Sequence, residues 1–126
     1  MILGCGIDLA EPERLRAACA RRPRLAERLF TPAELADGRR HRDPWPSLAA
    51  RFAAKEAFVK ALGTGLRRGL AWKQIEVLRD ARGRPALALH GRAAELLAEA
   101  GATATHLSLT HVAALAMAQV ILEDGR

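Results

Sequence analysis

The sequence predicts a single α+β domain, spanning residues 1–126, in which helices pack on an antiparallel sheet. Half of the chain's 126 residues are hydrophobic, which suits one modest core. Segments near both ends alternate as strands do, whereas the middle of the chain is rich in helix-forming residues. Two later segments, 74–79 and 85–89, flank a short glycine-containing turn that is typical of a hairpin.

The first element is a strand over residues 2–9. One of its faces is apolar, and we expect that face to lie against the core. This face consists of Leu3, Cys5, Ile7 and Leu9. The opposite face carries Gly4 and Gly6 and ends at Asp8. Because glycine inside a strand often marks the close approach of a backbone or a ligand, Asp8 is expected beside cleared space; the alternative is an Asp that caps the next helix.

A basic region follows this strand. Glu11-Pro12-Glu13 favours a helix start, because proline suits the first turn and acidic side chains favour the helix N-terminus. Pro23 then divides the region into two short helices. Arginines lie mostly away from the apolar stripes and form a basic face, which is either simply solvated or a docking surface for an acidic partner. The face comprises Arg14, Arg16, Arg21, Arg22, Arg24 and Arg28.

The central segment, 51–65, reads Arg-Phe-Ala-Ala-Lys-Glu-Ala-Phe-Val-Lys-Ala-Leu-Gly-Thr-Gly. It predicts a helix that begins a few residues upstream and ends at Gly63, because glycine adopts the left-handed conformation that ends helices. Glu56 and Lys60 are four residues apart, and spacing alone makes them an ordinary surface pair that contributes about 0.2–0.5 kcal/mol. Lys55 falls within the apolar stripe, so its ammonium either reaches solvent or meets an anion.

The rest of the chain adds shorter elements. Thr31, Pro32 and Glu34 are typical of a capping box at a helix start. The further elements are a polar loop over 38–47, the hairpin strands over 74–79 and 85–89, a helix over 91–100, and two final strands over 106–111 and 114–122. His106 and His111 lie on opposite faces of their strand, so a shared metal ion is not expected. The alanine-rich last strand indicates close packing, with a contact between subunits as one alternative.

The composition limits the classes of function. The net charge is +6, which favours acidic partners such as nucleic acid, anionic lipid, phosphates or an acidic protein. No apolar run is long enough to span a membrane, and the N-terminal segment lacks the basic start of a signal peptide, so we expect a cytoplasmic protein without a membrane partner. Cys5 and Cys19 have no CxxC spacing and are expected to be reduced core thiols.

Segment 51–65 resembles the signature of the 4′-phosphopantetheinyl transferases, specifically the short, single-domain holo-acyl-carrier-protein synthases. Further blocks resemble this family in the same order. They are Gly-x-Gly-x-Asp at 4–8, Phe-Thr-x-x-Glu at 30–34, Ile-Glu-Val with a following Gly-Arg-Pro at 75–85, and His-x-Ser-x-Thr-His at 106–111. Arg84 stands where the family usually has lysine, which keeps the charge but changes the geometry of a phosphate contact. The loop over 38–47 matches poorly.

The resemblance implies the reaction. A serine hydroxyl of apo acyl carrier protein attacks coenzyme A, the 4′-phosphopantetheine group is transferred, and adenosine 3′,5′-bisphosphate leaves. It also implies a Mg²⁺ ion held by Asp8 and Glu56, with Lys60 on the pyrophosphate, and these three residues as the catalytic group. Glu56, acting directly or through a metal-bound water, is the candidate general base. Because a carboxylate bonded to a metal is a weak base, water or hydroxide on the metal is the alternative. Because the partner supplies the nucleophile, the lack of a GxSxG or Cys/His motif is expected.

The resemblance implies binding surfaces as well. Coenzyme A, the co-substrate, is expected to contact Arg51, Lys60, Gly63, Thr64 and His106, with Arg84 and Pro85 approaching from a neighbouring subunit of a homotrimer. The acyl carrier protein is expected to dock on Arg14 and, by a looser match, on Arg21, Arg24 and Arg28. The short type of the family suits the carrier of fatty-acid synthesis, and a polyketide carrier is the alternative.

A different class of function is a small basic nucleic-acid-binding protein, which the high pI and the arginine face favour. Aromatic residues make up only 4% of the chain, and stacking platforms for bases need them. The sequence also lacks an RNP-like or zinc-finger pattern, so we expect no nucleic-acid partner. Magnesium-dependent binding of coenzyme A distinguishes the two functions.

Overall fold

Residues 1–66 and 69–126 are described by a computed structural model of the chain. They form α-helices and antiparallel strands, which confirms the predicted α+β fold. The elements in chain order are β1 (Ile2–Ala10), α1 (Pro12–Arg21), α2 (Leu25–Leu29), α3 (Pro32–Gly38), α4 (Trp45–Leu62), β2 (Ile75–Arg79), β3 (Pro85–Leu89), α5 (Gly91–Glu99), β4 (Ala104–His111) and β5 (Ala116–Glu123).

The strands form two antiparallel sheets. Strand β5 lies between β1 and β4 in a three-stranded sheet, and β2 pairs with β3 in a separate hairpin. Strand β3 has the predicted bounds, whereas β2 begins one residue later than predicted because Trp72–Gln74 forms a 3₁₀ turn. Gly83 has a φ of +80°, which confirms glycine at the left-handed position of the hairpin turn.

Helix α4 packs across the inner face of the three-stranded sheet. Its residues Ala57 and Phe58 are fully buried, and Gly63 ends the helix with a φ of +77°, as predicted. Gly4 and Gly6 of β1 face the helix, and a β-carbon at Gly6 would overlap the carbonyl oxygen of Ala57. The glycines therefore allow the backbone of α4 to approach the strand. Of the two neighbours expected at the glycine face, a backbone or a ligand, the structure shows the backbone of this helix.

The prediction for the other face of β1 is wrong. The face of Leu3, Cys5, Ile7 and Leu9 was expected in the core, yet Ile7 is 53% and Leu9 56% exposed. Cys5 is exposed as well, and is therefore a free thiol but not a core one. The helix packs where side chains are smallest, so the glycine face is buried and the apolar face lies outside. Exposed Met117 of β5 extends this outer apolar face.

The last strand and the helix starts follow the prediction more closely. Ala116, Ala118 and Val120 of β5 are buried on the inner face, so their close packing lies within the chain and not between subunits. The capping box is confirmed, since Thr31 Oγ1 accepts from the Glu34 amide at 3.2 Å and the Glu34 carboxylate accepts from the Thr31 amide at 2.9 Å. None of the described helices is long and apolar enough to cross a membrane.

We predict that Gly6→Ala lowers the free energy of unfolding by about 1–3 kcal/mol, the range for an overpacked interior. The added methyl group meets the Ala57 carbonyl, so α4 and β1 must separate. Urea unfolding of the variant measures the change. Ala81→Ser, in the exposed hairpin turn, is the control and should alter stability by less than about 0.5 kcal/mol; equal effects from both changes would contradict the close-approach explanation.

Candidate active site

Asp8 lies on the inner face of β1, beside the C-terminal half of α4. Lys60 Nζ donates to Asp8 Oδ1 at 2.7 Å and to the Ile7 carbonyl at 3.1 Å. Asp8 thus faces the central helix and not the start of α1, where the N-cap residue is Glu11 and no side-chain cap bond forms. The structure therefore favours the cleared-space interpretation of Asp8 over the capping alternative.

Glu56 lies one turn before Lys60 and lines the same cavity as Asp8. Burial, followed by the nearby Asp8 carboxylate, raises the pKa of Glu56 to about 6, whereas the Lys60 ammonium lowers it. The bond to Asp8 raises the pKa of Lys60. Two carboxylates and an ammonium therefore converge at one place, and the carboxylates repel each other unless a proton or a cation lies between them. We call Asp8, Glu56 and Lys60 the acidic cluster.

Asp8 and Glu56 of the acidic cluster line a cavity of about 820 Å³ between β1, α1, α2 and α4, whereas Lys60 lines a smaller cavity that also contains Asp8. Arg14 of the basic face lines it beside the carboxylates, among apolar side chains. These include Leu15, Leu25, Leu29 and Phe52. Arg21, Arg24 and Arg28 border a separate cavity of about 450 Å³ at the junction of α1 and α2. Leu25 lines both cavities, so all four predicted docking arginines lie along one connected surface.

Arg51 lies on a different side of α4, about 140° around the helix from Glu56. Its guanidinium is buried, bonds to Asp37 and Ser47, and has an Nε without a hydrogen-bond partner among the described residues. It lines a cavity of about 210 Å³ together with Pro85 and His111. We call this the hairpin cavity; it shares no lining residue with the cavity of the acidic cluster.

The other residues expected to bind coenzyme A lie apart from both groups. His106 is exposed on the outer face of the sheet, with Nε2 3.0 Å from Glu123. Arg84 pairs with Asp80 at 3.2 Å in the hairpin turn. Gly63 and Thr64 follow the C-terminus of α4, where the Thr64 hydroxyl donates to the Gly65 carbonyl. A single chain therefore does not bring the predicted coenzyme A residues together.

His111 is the residue that sequence reasoning left out of the site. It lines the hairpin cavity with Arg51 and Pro85, whereas His106, the histidine predicted to bind coenzyme A, lies on the opposite face of the same strand. The alternation of β4 contained the signal, because it places His111 on the face of Leu107 and Leu109, which pack against the core.

The acidic cluster has the chemistry of a magnesium site. Among the residues that the structure describes, no group of three or more His, Cys, Asp or Glu side chains could hold a metal ion. Asp8 and Glu56 line one cavity and interact with each other, and a Mg²⁺ site commonly uses only one or two carboxylates with substrate phosphates and waters. The raised pKa of Glu56 also indicates a place where positive charge would be stabilising. The residues present fit the ion.

Comparison with known proteins identifies the family. The family described as the 4′-phosphopantetheinyl transferase superfamily matches residues 4–116. The chain belongs to this superfamily. The resemblance seen in segment 51–65 is thereby confirmed over nearly the whole chain.

Relatives of this transferase include the holo-[acyl-carrier-protein] synthases of Trichlorobacter lovleyi and Yersinia pestis. They are 53% and 47% identical to it, and each match covers 98% of this chain and 98% of the relative. The crystal structure of the synthase from Neisseria meningitidis has a TM-score of 0.88 at 34% identity, covering 98% of this chain and 99% of that one. The synthase from Bacillus anthracis in complex with CoA (3′,5′-ADP) has a TM-score of 0.80 at 34% identity, covering 99% of both.

We predict that the Glu56 carboxyl group titrates near pH 6 in the metal-free protein. Asp8→Asn should lower this pKa and Lys60→Met should raise it, because one change removes a neighbouring negative charge and the other a positive charge. Since the unfolded chain holds this proton only to about pH 4.5, the contribution of Glu56 to folding becomes less favourable as the pH rises from 4.5 to 6.

Side-chain carboxyl chemical shifts of Glu56, measured by NMR across this pH range, test the prediction. Lys73→Met is the matched control, because Lys73 is exposed and lies outside the acidic cluster; it should leave the midpoint of Glu56 unchanged. A midpoint of Glu56 near 4.5 in the wild type would contradict the prediction.

Proposed function

We propose that this transferase moves the 4′-phosphopantetheine group of coenzyme A to a serine hydroxyl of apo acyl carrier protein, releasing adenosine 3′,5′-bisphosphate. The observation that carries the proposal is the convergence of Asp8, Glu56 and Lys60 in a chain that is 53% identical to a named synthase over almost its full length. The bound CoA of the Bacillus anthracis relative supports coenzyme A as co-substrate.

Each member of the acidic cluster has a proposed task. Asp8 and Glu56 would hold Mg²⁺, which when bound neutralises charge on the pyrophosphate. Lys60 is 56% exposed, so its ammonium can turn from Asp8 to a phosphate oxygen. The pKa of Glu56 near 6 belongs to the metal-free protein. With the ion bound the carboxylate would be a weaker base, so either Glu56 or a water next to it would accept the proton of the attacking serine.

The hairpin cavity is the proposed nucleotide-side site. Arg51, His111 and Pro85 line it, and the unpartnered Nε of Arg51 is a donor that a phosphate would satisfy. His41 and Arg79 add further basic groups to the lining. His111 therefore joins the expected coenzyme A residues, which are Arg51, Lys60, Gly63, Thr64, Arg84, Pro85 and His106.

A homotrimer is part of the proposal. The outer apolar face of Leu3, Ile7, Leu9 and Met117 is exposed in one chain, and a second copy would cover it. Because the acidic cluster and the hairpin cavity lie in different places on one chain, we propose that neighbouring subunits bring the two together. The number three comes from the family resemblance, and a cytoplasmic location stays a prediction from the sequence.

The deciding experiment is intact-mass spectrometry of apo acyl carrier protein incubated with this chain, coenzyme A and magnesium. A mass gain of one phosphopantetheine group that EDTA abolishes is expected. Glu56→Gln should lose the activity by a factor of at least about 100 while remaining folded, because one metal-binding and proton-accepting carboxylate is gone. Glu95→Gln, at an exposed side chain of α5, should stay active; activity of the Glu56 variant in excess magnesium would contradict the assignment.

The docking surface gives a separate prediction. Arg14→Glu should raise the KM for acyl carrier protein by about tenfold, or about 1.4 kcal/mol, with a much smaller effect on the KM for coenzyme A, because the acidic partner loses an attractive charge at the cavity. Steady-state kinetics, with each substrate varied in turn, measure the two KM values. Lys73→Glu makes the same charge reversal at an exposed position away from α1 and should change neither constant. Equal effects of Arg14→Glu on both substrates would rule out docking there.

A further inference from the structure

A buried ion pair joins α3 to α4 outside both cavities. Lys55 Nζ lies 2.7 Å from Glu34 Oε1, and both side chains are fully buried. The ammonium also donates to the Trp72 carbonyl at 3.2 Å and lies 5.5 Å from the centre of the Phe30 ring. The Lys55 ammonium was predicted either to reach solvent or to meet an anion. In the structure it meets an anion, which is the carboxylate of the capping-box residue Glu34.

Glu34 connects this pair to the hairpin. Its Oε2 accepts from the Val77 amide at 2.9 Å, and its Oε1 also accepts from the Thr31 amide at 2.9 Å. One carboxylate thus holds the start of α3, the middle of α4 and strand β2. Val77 lines the hairpin cavity, as does Pro85 of the paired strand. The position of the cavity wall therefore depends on the Glu34 carboxylate.

Stability alone does not account for the pair. Burial lowers the pKa of Lys55, which reflects the cost of removing an ammonium from water, and a well-packed apolar pair is often as stable as a buried ion pair or more so. Directional bonds, by contrast, fix the groups that they join. Along α4, Arg51 lies one turn before Lys55, and Glu56 lies directly after it. The Lys55–Glu34 pair therefore fixes the helix between Arg51, which lines the hairpin cavity, and Glu56 of the acidic cluster.

We infer that Lys55 and Glu34 are positioning residues, which hold the hairpin cavity in register with α4 through the Val77 amide. The inference rests on the proposed function. Neither side chain lines the hairpin cavity or the cavity of the acidic cluster, so neither is expected to touch coenzyme A.

Two variants separate positioning from stability. Lys55→Met alone leaves the Glu34 carboxylate buried without its partner charge, so Tm should fall sharply. Adding Glu34→Gln removes the second charge, and Tm should recover most of the loss. The glutamine has one acceptor oxygen in place of two, so it cannot bond the Thr31 and Val77 amides as Glu34 does, and the hairpin loses an anchor.

The expected result for the double variant is a KM for coenzyme A raised about tenfold, with kcat and the KM for acyl carrier protein within about threefold of the wild type. Recovery of Tm together with an unchanged KM for coenzyme A would show a purely structural pair and overturn the inference. An inactive wild type in the mass-spectrometric assay would instead overturn the proposed function, so the two failures are distinguishable.

Should the double variant fail to fold, amide hydrogen exchange of the wild type tests whether the Glu34 contact and the hairpin cavity are coupled. Adenosine 3′,5′-bisphosphate is the probe, and the Val77 amide is compared with the amide of Val120 in the three-stranded sheet. If the cavity and the Glu34 anchor are coupled, the ligand must protect Val77 more than Val120, because coupling is reciprocal. Equal changes at the two amides would overturn the inference.

Discussion

The contact between α4 and the glycine face of β1 is the constraint on which the rest of the molecule depends. Gly4 and Gly6 have no β-carbon to hold the helix away, so α4 packs close to β1. This close packing brings Asp8, near the end of the strand, within hydrogen-bond distance of Lys60. Helix α4 covers the inner face of β1, so Ile7 and Leu9 on the opposite face are exposed. One steric fact thus creates both the acidic cluster and the exposed apolar face, which lie on the two sides of one strand.

Different faces of helix α4 carry different polar contacts. Arg51 points to the hairpin cavity, Lys55 is buried against Glu34, and Glu56 and Lys60 face Asp8. Three kinds of polar contact on one helix leave little freedom to rotate or slide, because any such motion breaks a buried bond on one side while it adjusts another. This explains how a short chain without a large rigid scaffold keeps a site in place.

The sequence predicted the parts of the fold that local rules control. The capping box at Thr31, the helix end at Gly63 and the bounds of β3 each follow from chemistry within a few residues, and each is confirmed. Period-two alternation showed which residues of β1 and β4 share a face, but not which face is covered, since that depends on a helix far away in sequence. The exposure of Ile7 is therefore a long-range fact that the alternation alone did not decide. For His111 the alternation of β4 indicated the correct face, but the hairpin cavity on that face is formed by residues distant in sequence.

The separation of the acidic cluster from the hairpin cavity and the exposure of the outer apolar face have a common explanation. A chain of this size buries only part of its apolar surface by itself, and two of its exposed strand residues, Ile7 and Leu9, flank Asp8 in sequence. Covering that face with a second copy would therefore bring foreign side chains next to the acidic cluster without any rearrangement of β1. In the proposed assembly, burial of the outer face and completion of the site would be the same event, so the stability of that assembly would determine catalytic competence.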